Sequence, residues 1–174
     1  MKALTLIQPW ATFIAIGAKP DETRGTKFSH RGEVAIHAGL KNDEDGAPQP
    51  FTDLVLGADW PTTCPHGAVV AIGTLVDCIP TEVARKGSTQ ANLLCGNFAP
   101  GRQALRFENV RPLWTPIPAR GMQGLWDWTP PADIAFRLKE PVSHAEFCRR
   151  FGWGDVGPSQ PAADGPPFND RSAA

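Results

Sequence analysis

The sequence predicts one α+β domain in which strands are mixed with short helices. Three observations predict this class: an apolar strand that leads directly into a short amphipathic helix, a long apolar strand at residues 68–79, and a further strand at residues 104–113. The length of 174 residues fits one domain, and 41% hydrophobic residues are enough to form a core.

The opening segment combines a strand and a helix of about two turns. Residues 4–7 are apolar and compatible with a strand. Pro9 suits the first turn of a helix, where its missing N–H costs nothing. Trp10, Phe13 and Ile14 follow at helical spacing and predict one buried stripe, although Trp10 could instead stack on a ligand.

The helix is expected to end near Gly17 and to lead into a charged loop that carries Lys19, Glu22 and Arg24. A solvated turn is one explanation of this loop, and the wall of a surface cleft is the other. In a cleft, Lys19 and Arg24 would attract an anionic ligand, while Glu22 would act as a base or a hydrogen-bond acceptor.

Later segments add the remaining strands. Residues 33–38 predict a strand in which Val34 and Ile36 share one face and His37 lies on the other, either at an outer cleft or as a structural histidine. Gly73 predicts a bulge or a tight bend within the strand at residues 68–79.

An ordered set of motifs across residues 3–128 resembles the ASCH domain family, including its bacterial and phage members. The motifs are Gln8-Pro9-Trp10-Ala11, Gly17-x-Lys19-x-x-Glu22-x-Arg24, Gly96-Asn97-Phe98-x-Pro100-Gly101-Arg102, Asn109-Val110-Arg111-Pro112-Leu113 and Arg120-Gly121-x-Gln123-Gly124-Leu125-Trp126. The resemblance implies a PUA-like mixed β-barrel with short flanking helices over residues 1–128, and it implies RNA or nucleotide binding.

The predicted site is a cleft around the charged loop. Its candidate ligand-binding residues are Gln8, Trp10, Lys19, Arg24, His37, Arg120 and Gln123. Lys and Arg suit phosphate oxygens, and Gln suits a base edge, so single-stranded RNA or a modified nucleoside or nucleotide is the expected partner.

Hydrolysis is the alternative function that the resemblance implies. Some ASCH proteins are amidohydrolases on acetylated cytidine that use a Lys, a Thr and a Glu. Lys19 matches that lysine, but Glu22 stands where they have Thr, and no residue is assigned to their Glu. In a ribonuclease, which is another family activity, Glu22 would act as base and Lys19 or Arg24 would stabilise phosphate. A scaffold that acts only through proteins is a third possibility.

Composition excludes several classes of protein. The net charge of −1 gives no broad field that favours nucleic acid, so any contact requires a local basic patch.

The four cysteines form no C-x-x-C pair, and we expect unpaired thiols, no metal and no cofactor. Neither a signal peptide nor a run of 18 apolar residues is present, which predicts a cytoplasmic chain without a membrane partner. The oligomeric state stays open.

Residues 129–153 are expected to form an extension beyond the ASCH-like part. Residues 134–138 predict a strand or an edge segment. Residues 143–151 predict a short helix with Ser143 as N-cap and Glu146 at the capping-box position. Residues 154–174 have almost no apolar content and predict a disordered, dispensable tail.

Overall fold

The computed structural model describes residues 1–153, so the predicted tail at residues 154–174 lies outside the described residues. Six strands form one mixed sheet in the order β2-β5-β4-β3-β1-β6. Their bounds are β1 Lys2–Gln8, β2 Asp21–Arg24, β3 Gly32–Asn42, β4 Ala68–Pro80, β5 Gln103–Pro118 and β6 Leu125–Asp127. β1 runs parallel to β3, and the other neighbouring strands are antiparallel.

Short helices flank this sheet. They are α1 Trp10–Ala15, α2 Phe51–Leu56, α3 Trp60–Thr63, α4 Thr81–Ala84, α5 Gln90–Leu94, α6 Ile134–Arg137 and α7 His144–Phe151, with a 3-10 turn at Arg85–Gly87. The α+β class is therefore confirmed. The opening strand and helix, the strands that became β3, β4 and β5, and the helix α7 are confirmed as well.

The prediction of a barrel is wrong, because the sheet does not close. β2 and β6 lie at opposite edges within residues 1–153. The backbone N–H of Asp21 donates to the Asn92 side chain, 3.3 Å away, and the guanidinium of Arg102 donates to the carbonyl of Thr23 at 3.4 Å. Side chains, rather than another strand, thus satisfy these backbone groups of β2.

Two local predictions also need correction. The charged segment is not all loop, because Glu22 and Arg24 belong to the edge strand β2, which pairs with β5. Residues 134–137 form the helix α6 instead of a strand, and only Leu138 makes an isolated bridge, with Leu113. Partial burial of Ile134 and Leu138 fits either structure, so the short apolar run did not distinguish a helix from a strand.

The sheet carries apolar side chains on both faces. One face packs against α1, and the resulting main core includes Leu4, Phe13, Ile36 and Leu105. The opposite face holds a smaller cluster around Ala35, Ile72 and Trp126. The alternation of Ala35 and Ile36 between the two clusters follows from strand geometry.

The C-terminal extension contributes to the main core. Ser143 caps α7 by accepting a hydrogen bond from the backbone N–H of Glu146 at 3.4 Å, as the capping-box pattern predicts. This cap directs Phe147, which is 4% exposed, against Phe51 at a ring-centroid distance of 6.3 Å. Residues 1–128 alone would therefore leave apolar surface of the main core uncovered.

Phe147→Ala should lower the free energy of unfolding by about 3 kcal/mol, because it leaves a cavity among packed aromatic rings. The matched control is Phe136→Ala, whose ring is 88% exposed and should cost little. Urea unfolding of both variants measures the difference. Equal stability of the two variants would contradict the docking of α7 on the core.

Candidate functional site

Three charged side chains meet where the chain passes from α1 into β2. The ammonium of Lys19 lies 3.3 Å from Oε2 of Glu22, and Nε of Arg24 lies 2.8 Å from Oε1 of the same carboxylate. Glu22 and Arg24 are two positions apart on β2, so their side chains project to the same side. We refer to Lys19, Glu22 and Arg24 as the charged triad.

The charged triad is buried more deeply than a surface cleft requires. Lys19 is 2% exposed and Glu22 is 7% exposed, whereas the Arg24 side chain remains 33% exposed. Burial of a charge without a partner is costly, so the two ion pairs are needed for these groups to stay charged in the interior. Arg24 is the member that faces outward.

The ammonium of Lys19 has further partners. It donates to the carbonyl of Cys95 and lies 5.6 Å from the ring centroid of Trp10. A Cβ added at Gly96 would lie 3.3 Å from this ammonium and 2.8 Å from the Phe98 ring, so glycine allows the backbone to approach closely. Burial raises the pKa of the Cys95 thiol to about 12 although Lys19 opposes the shift, so this cysteine stays neutral.

Arg24 retains donors that the described residues do not use. Its Nη2 donates to the carbonyl of Thr5 at 2.8 Å. Its Nε–H is buried and forms no hydrogen bond in residues 1–153, because the N–H does not point at the nearby Glu22 oxygen. The contact with Glu22 is thus an ion pair without a well-aligned hydrogen bond.

A second layer of polar contacts surrounds Thr23. Its hydroxyl oxygen accepts a hydrogen bond from the backbone N–H of Asn97 at 2.9 Å, and Arg102 reaches its carbonyl. Asn97 and Arg102 belong to the motif at residues 96–102 but were not predicted as site residues. Their signal was the glycine- and proline-rich loop that precedes β5, but nothing in it predicted contact with β2.

Gln8 and Trp10, two of the predicted ligand contacts, are buried and form hydrogen bonds within the protein. Gln8 is fully buried, and its amide donates to the carbonyl of Pro65 and accepts from the N–H of Thr12. Trp10 is 8% exposed, and its indole N–H donates to Asp43 at 3.1 Å. Trp10 therefore fits the core alternative.

The other predicted contacts lie outside the charged triad. Arg120 and Gln123 are exposed, and within residues 1–153 they form no hydrogen bond or ion pair with Lys19, Glu22 or Arg24. The loop that carries them is nevertheless close to Thr5, since a Cβ at Gly121 would lie 2.9 Å from the Thr5 hydroxyl. Arg24 reaches the carbonyl of the same Thr5.

His37 occupies a structural position. It is 1% exposed, its Nε2 lies 2.9 Å from the carbonyl of Ala119, and its ring meets Trp126 edge-on at 5.7 Å. Its Nδ1 is buried without a hydrogen-bond partner among the described residues. Nε2–H therefore donates to Ala119 in the neutral tautomer, and desolvation lowers the pKa of His37.

Neither a metal centre nor a membrane span is found in residues 1–153. No group of three or more His, Cys, Asp or Glu side chains there is arranged to hold a metal ion. None of the helices in that range has both the length and the apolar character needed to cross a bilayer. No disulfide joins any of the four cysteines, which all lie within this range.

Comparison with known proteins gives a likeness of fold. No family model and no curated protein matches the chain. Among solved structures, the chain is similar to the crystal structure of ASCH from Zymomonas mobilis, with 13% identity over 80% of this chain and 96% of that chain and a TM-score of 0.47. That protein belongs to the family that the sequence motifs resemble. The assignment of site residues depends on the contacts described above.

The buried neutral His37 predicts a pH dependence of stability. Its folded pKa lies below its unfolded value of about 6.5, so the unfolded chain binds more protons in that range and the free energy of unfolding should fall as pH drops below about 6.5. His37→Gln can still donate to the carbonyl of Ala119 but does not titrate. Unfolding by urea at several pH values should therefore give a shallower pH slope for the variant, and identical slopes would contradict the assignment.

Proposed function

We propose that this chain is a binding module for single-stranded RNA or a nucleotide, with Arg24 as the group that contacts phosphate. The main observation behind this proposal is the net positive charge of the charged triad. Two cations share one carboxylate, and no second carboxylate in the described residues forms an ion pair with Lys19 or Arg24. An anionic ligand would balance the excess positive charge.

The donors of Arg24 suit this role. Its Nη1 makes no hydrogen bond in residues 1–153 and is not buried, so the N–H groups of Nη1 can reach a ligand. Arginine binds phosphate oxygens through paired N–H donors, and a guanidinium already fixed by Glu22 and Thr5 loses little freedom on binding. The buried ammonium of Lys19 adds positive electrostatic potential at this site without contacting the ligand.

The overall charge favours binding of a single phosphate group over binding along a nucleic-acid duplex. A net charge of −1 gives no broad positive field of the kind that favours the many phosphate contacts of duplex binding. One outward-facing arginine suits one phosphate of a nucleotide or of an unpaired strand. The sequence resemblance to ASCH domains, which are similar in fold to RNA-binding PUA domains, points in the same direction.

Binding is favoured over hydrolysis by the state of the nearby reactive groups. Both oxygens of Glu22 are occupied by cations, the Cys95 thiol stays neutral, and the Thr23 hydroxyl oxygen accepts from a backbone N–H. Covalent catalysis by a side chain requires a nucleophile within reach of an available base. Among residues 1–153 these contacts leave no such pair around the charged triad.

Arg24→Gln should weaken binding of a fluorescent single-stranded RNA about tenfold and reduce the salt dependence of binding by about one phosphate contact. Fluorescence anisotropy at several salt concentrations measures both quantities. The matched control is Arg111→Gln, because Arg111 is 34% exposed and also pairs with a carboxylate, that of Glu33. Equal affinities of Arg24→Gln, Arg111→Gln and the unmodified protein would contradict the proposal.

Glu22→Gln separates binding from catalysis. The substitution keeps the shape but removes the charge that pairs with buried Lys19 and holds Arg24, so in a pure binding module RNA affinity and stability should both fall and neither this variant nor the unmodified protein should form a product. Product analysis by gel electrophoresis after incubation with RNA, and by chromatography after incubation with acylated nucleosides, provides the second readout. Turnover by the unmodified protein that disappears in Glu22→Gln would establish the hydrolase alternative instead.

A further inference from the structure

A groove beside β2 does not include Arg24, the proposed phosphate contact, although Lys19 of the charged triad lines its larger cavity. Two adjoining cavities, of about 450 and 310 Å³, are both lined by Pro20, Arg106 and His144. We call their union the Arg106 groove. Asp21, which supports it, precedes Glu22 on β2, and successive strand residues project to opposite faces.

Arg106 is held in one orientation by buried polar groups. Its Nε and Nη2 donate to the two carboxylate oxygens of Asp21 at 3.0 and 3.1 Å. Asp21 is 1% exposed and also accepts from the side-chain amide of Asn92 at 3.0 Å. This hydrogen bonding raises the pKa of Arg106, so the guanidinium stays charged and fixed.

The opposite end of the guanidinium remains available. Nη1 makes no hydrogen bond in residues 1–153, and the Arg106 side chain is 39% exposed. Asp21 occupies the Nε edge, so the adjacent N–H groups of Nη1 and Nη2 form a free two-donor edge. Such an edge matches a ligand with two neighbouring acceptors.

The surrounding charges disfavour a phosphate here. Asp21 already neutralises Arg106, Glu22 pairs with Lys19, which also lines the larger cavity, and the carboxylates of Asp77 and Glu108 act on Arg106. Asp77 is paired with Arg31, whereas Glu108 is exposed and forms no ion pair among the described residues. A neutral ligand that offers acceptors to Arg106 and N–H donors to Glu108 fits this balance better than an anion.

The dimensions and the lining suit a planar ring. Arg106 and Glu108 are two positions apart on β5 and both line the larger cavity, while Leu105 and Phe107 are buried in the main core, so Arg106 and Glu108 project to the same side. Val110 and Val142 supply an apolar surface beside them. The larger cavity falls at the small end of the range for ligand pockets, about 300–1,000 Å³.

We propose that the Arg106 groove binds a guanine base. The free edge of Arg106 donates to O6 and N7 of guanine, and the Glu108 carboxylate accepts from its N1–H and N2–H groups. Guanine offers neighbouring acceptors and neighbouring donors in this pattern, whereas adenine presents an amino donor where Arg106 needs an acceptor. The inference rests on the proposed function, since the base would belong to the same RNA or nucleotide.

Nucleosides test the groove separately from the phosphate contact, because they carry no phosphate. Guanosine, adenosine, cytidine and uridine are titrated into the full-length protein and followed by ligand-observed NMR. Guanosine should bind at least about tenfold more tightly than the other three, a ratio equivalent to about 1.4 kcal/mol. Equal binding of all four nucleosides, or no binding of guanosine, would overturn the proposal.

Variants locate the binding site. Glu108→Gln should weaken guanosine binding about tenfold, and its matched control is Glu44→Gln, an exposed carboxylate of a distant loop, which should bind as the unmodified protein does. Arg106→Lys keeps a cation beside Asp21 but removes the two-donor edge, so it should also weaken binding. If Arg106→Lys does not fold, the Glu108→Gln variant tests the proposal by itself. Unchanged guanosine binding by that variant would refute the proposal. RNA binding that depends on Arg24 without guanosine binding would refute the groove and leave the proposed function standing.

Discussion

The carboxylate of Glu22 is the constraint on which the arrangement of the site depends. It lies almost entirely inside the protein with a cation on each oxygen. A buried charge must be paired, so Lys19 and Arg24 both contact the Glu22 carboxylate, one at each oxygen. Lys19 is thereby fixed against Trp10 and the Cys95 carbonyl, and Arg24 remains 33% exposed with an unused Nη1. The result is a positive site with little freedom to rearrange.

The edge strand β2 carries the same kind of acid–arginine pair on each of its two faces. On one face Glu22 orients Arg24, and on the other Asp21 orients Arg106. In both cases a buried acidic residue fixes one edge of a guanidinium and leaves another edge exposed. The local charges differ, because a second cation accompanies Glu22 while further carboxylates surround Arg106. We therefore propose that the same four-residue strand supports one surface for an anion and another for a neutral base.

Local sequence patterns predicted the elements whose boundaries depend on near neighbours. The β1–α1 opening and the Ser143 cap of α7 follow from apolar spacing and from hydrogen bonds within a few residues. The edge strand β2 was missed because its residues are charged, and only pairing with β5 makes them a strand. The burial of Gln8 could not be predicted either, since its partner Pro65 lies 57 residues away along the chain. The spacing of Lys19, Glu22 and Arg24 indicated a cluster, but the depth of the cluster depends on the loop at Cys95.

The most direct measurement of the central claim is side-chain NMR of the protein labelled with nitrogen-15 at arginine. The Nε–H signal of Arg24 is followed during titration with a short single-stranded RNA, with the Nε–H signal of Arg111 as internal reference. If the charged triad presents Arg24 to phosphate, the Arg24 signal shifts in step with RNA binding and the Arg111 signal does not. An Arg24 signal that stays unchanged while the RNA reaches saturation would contradict the account.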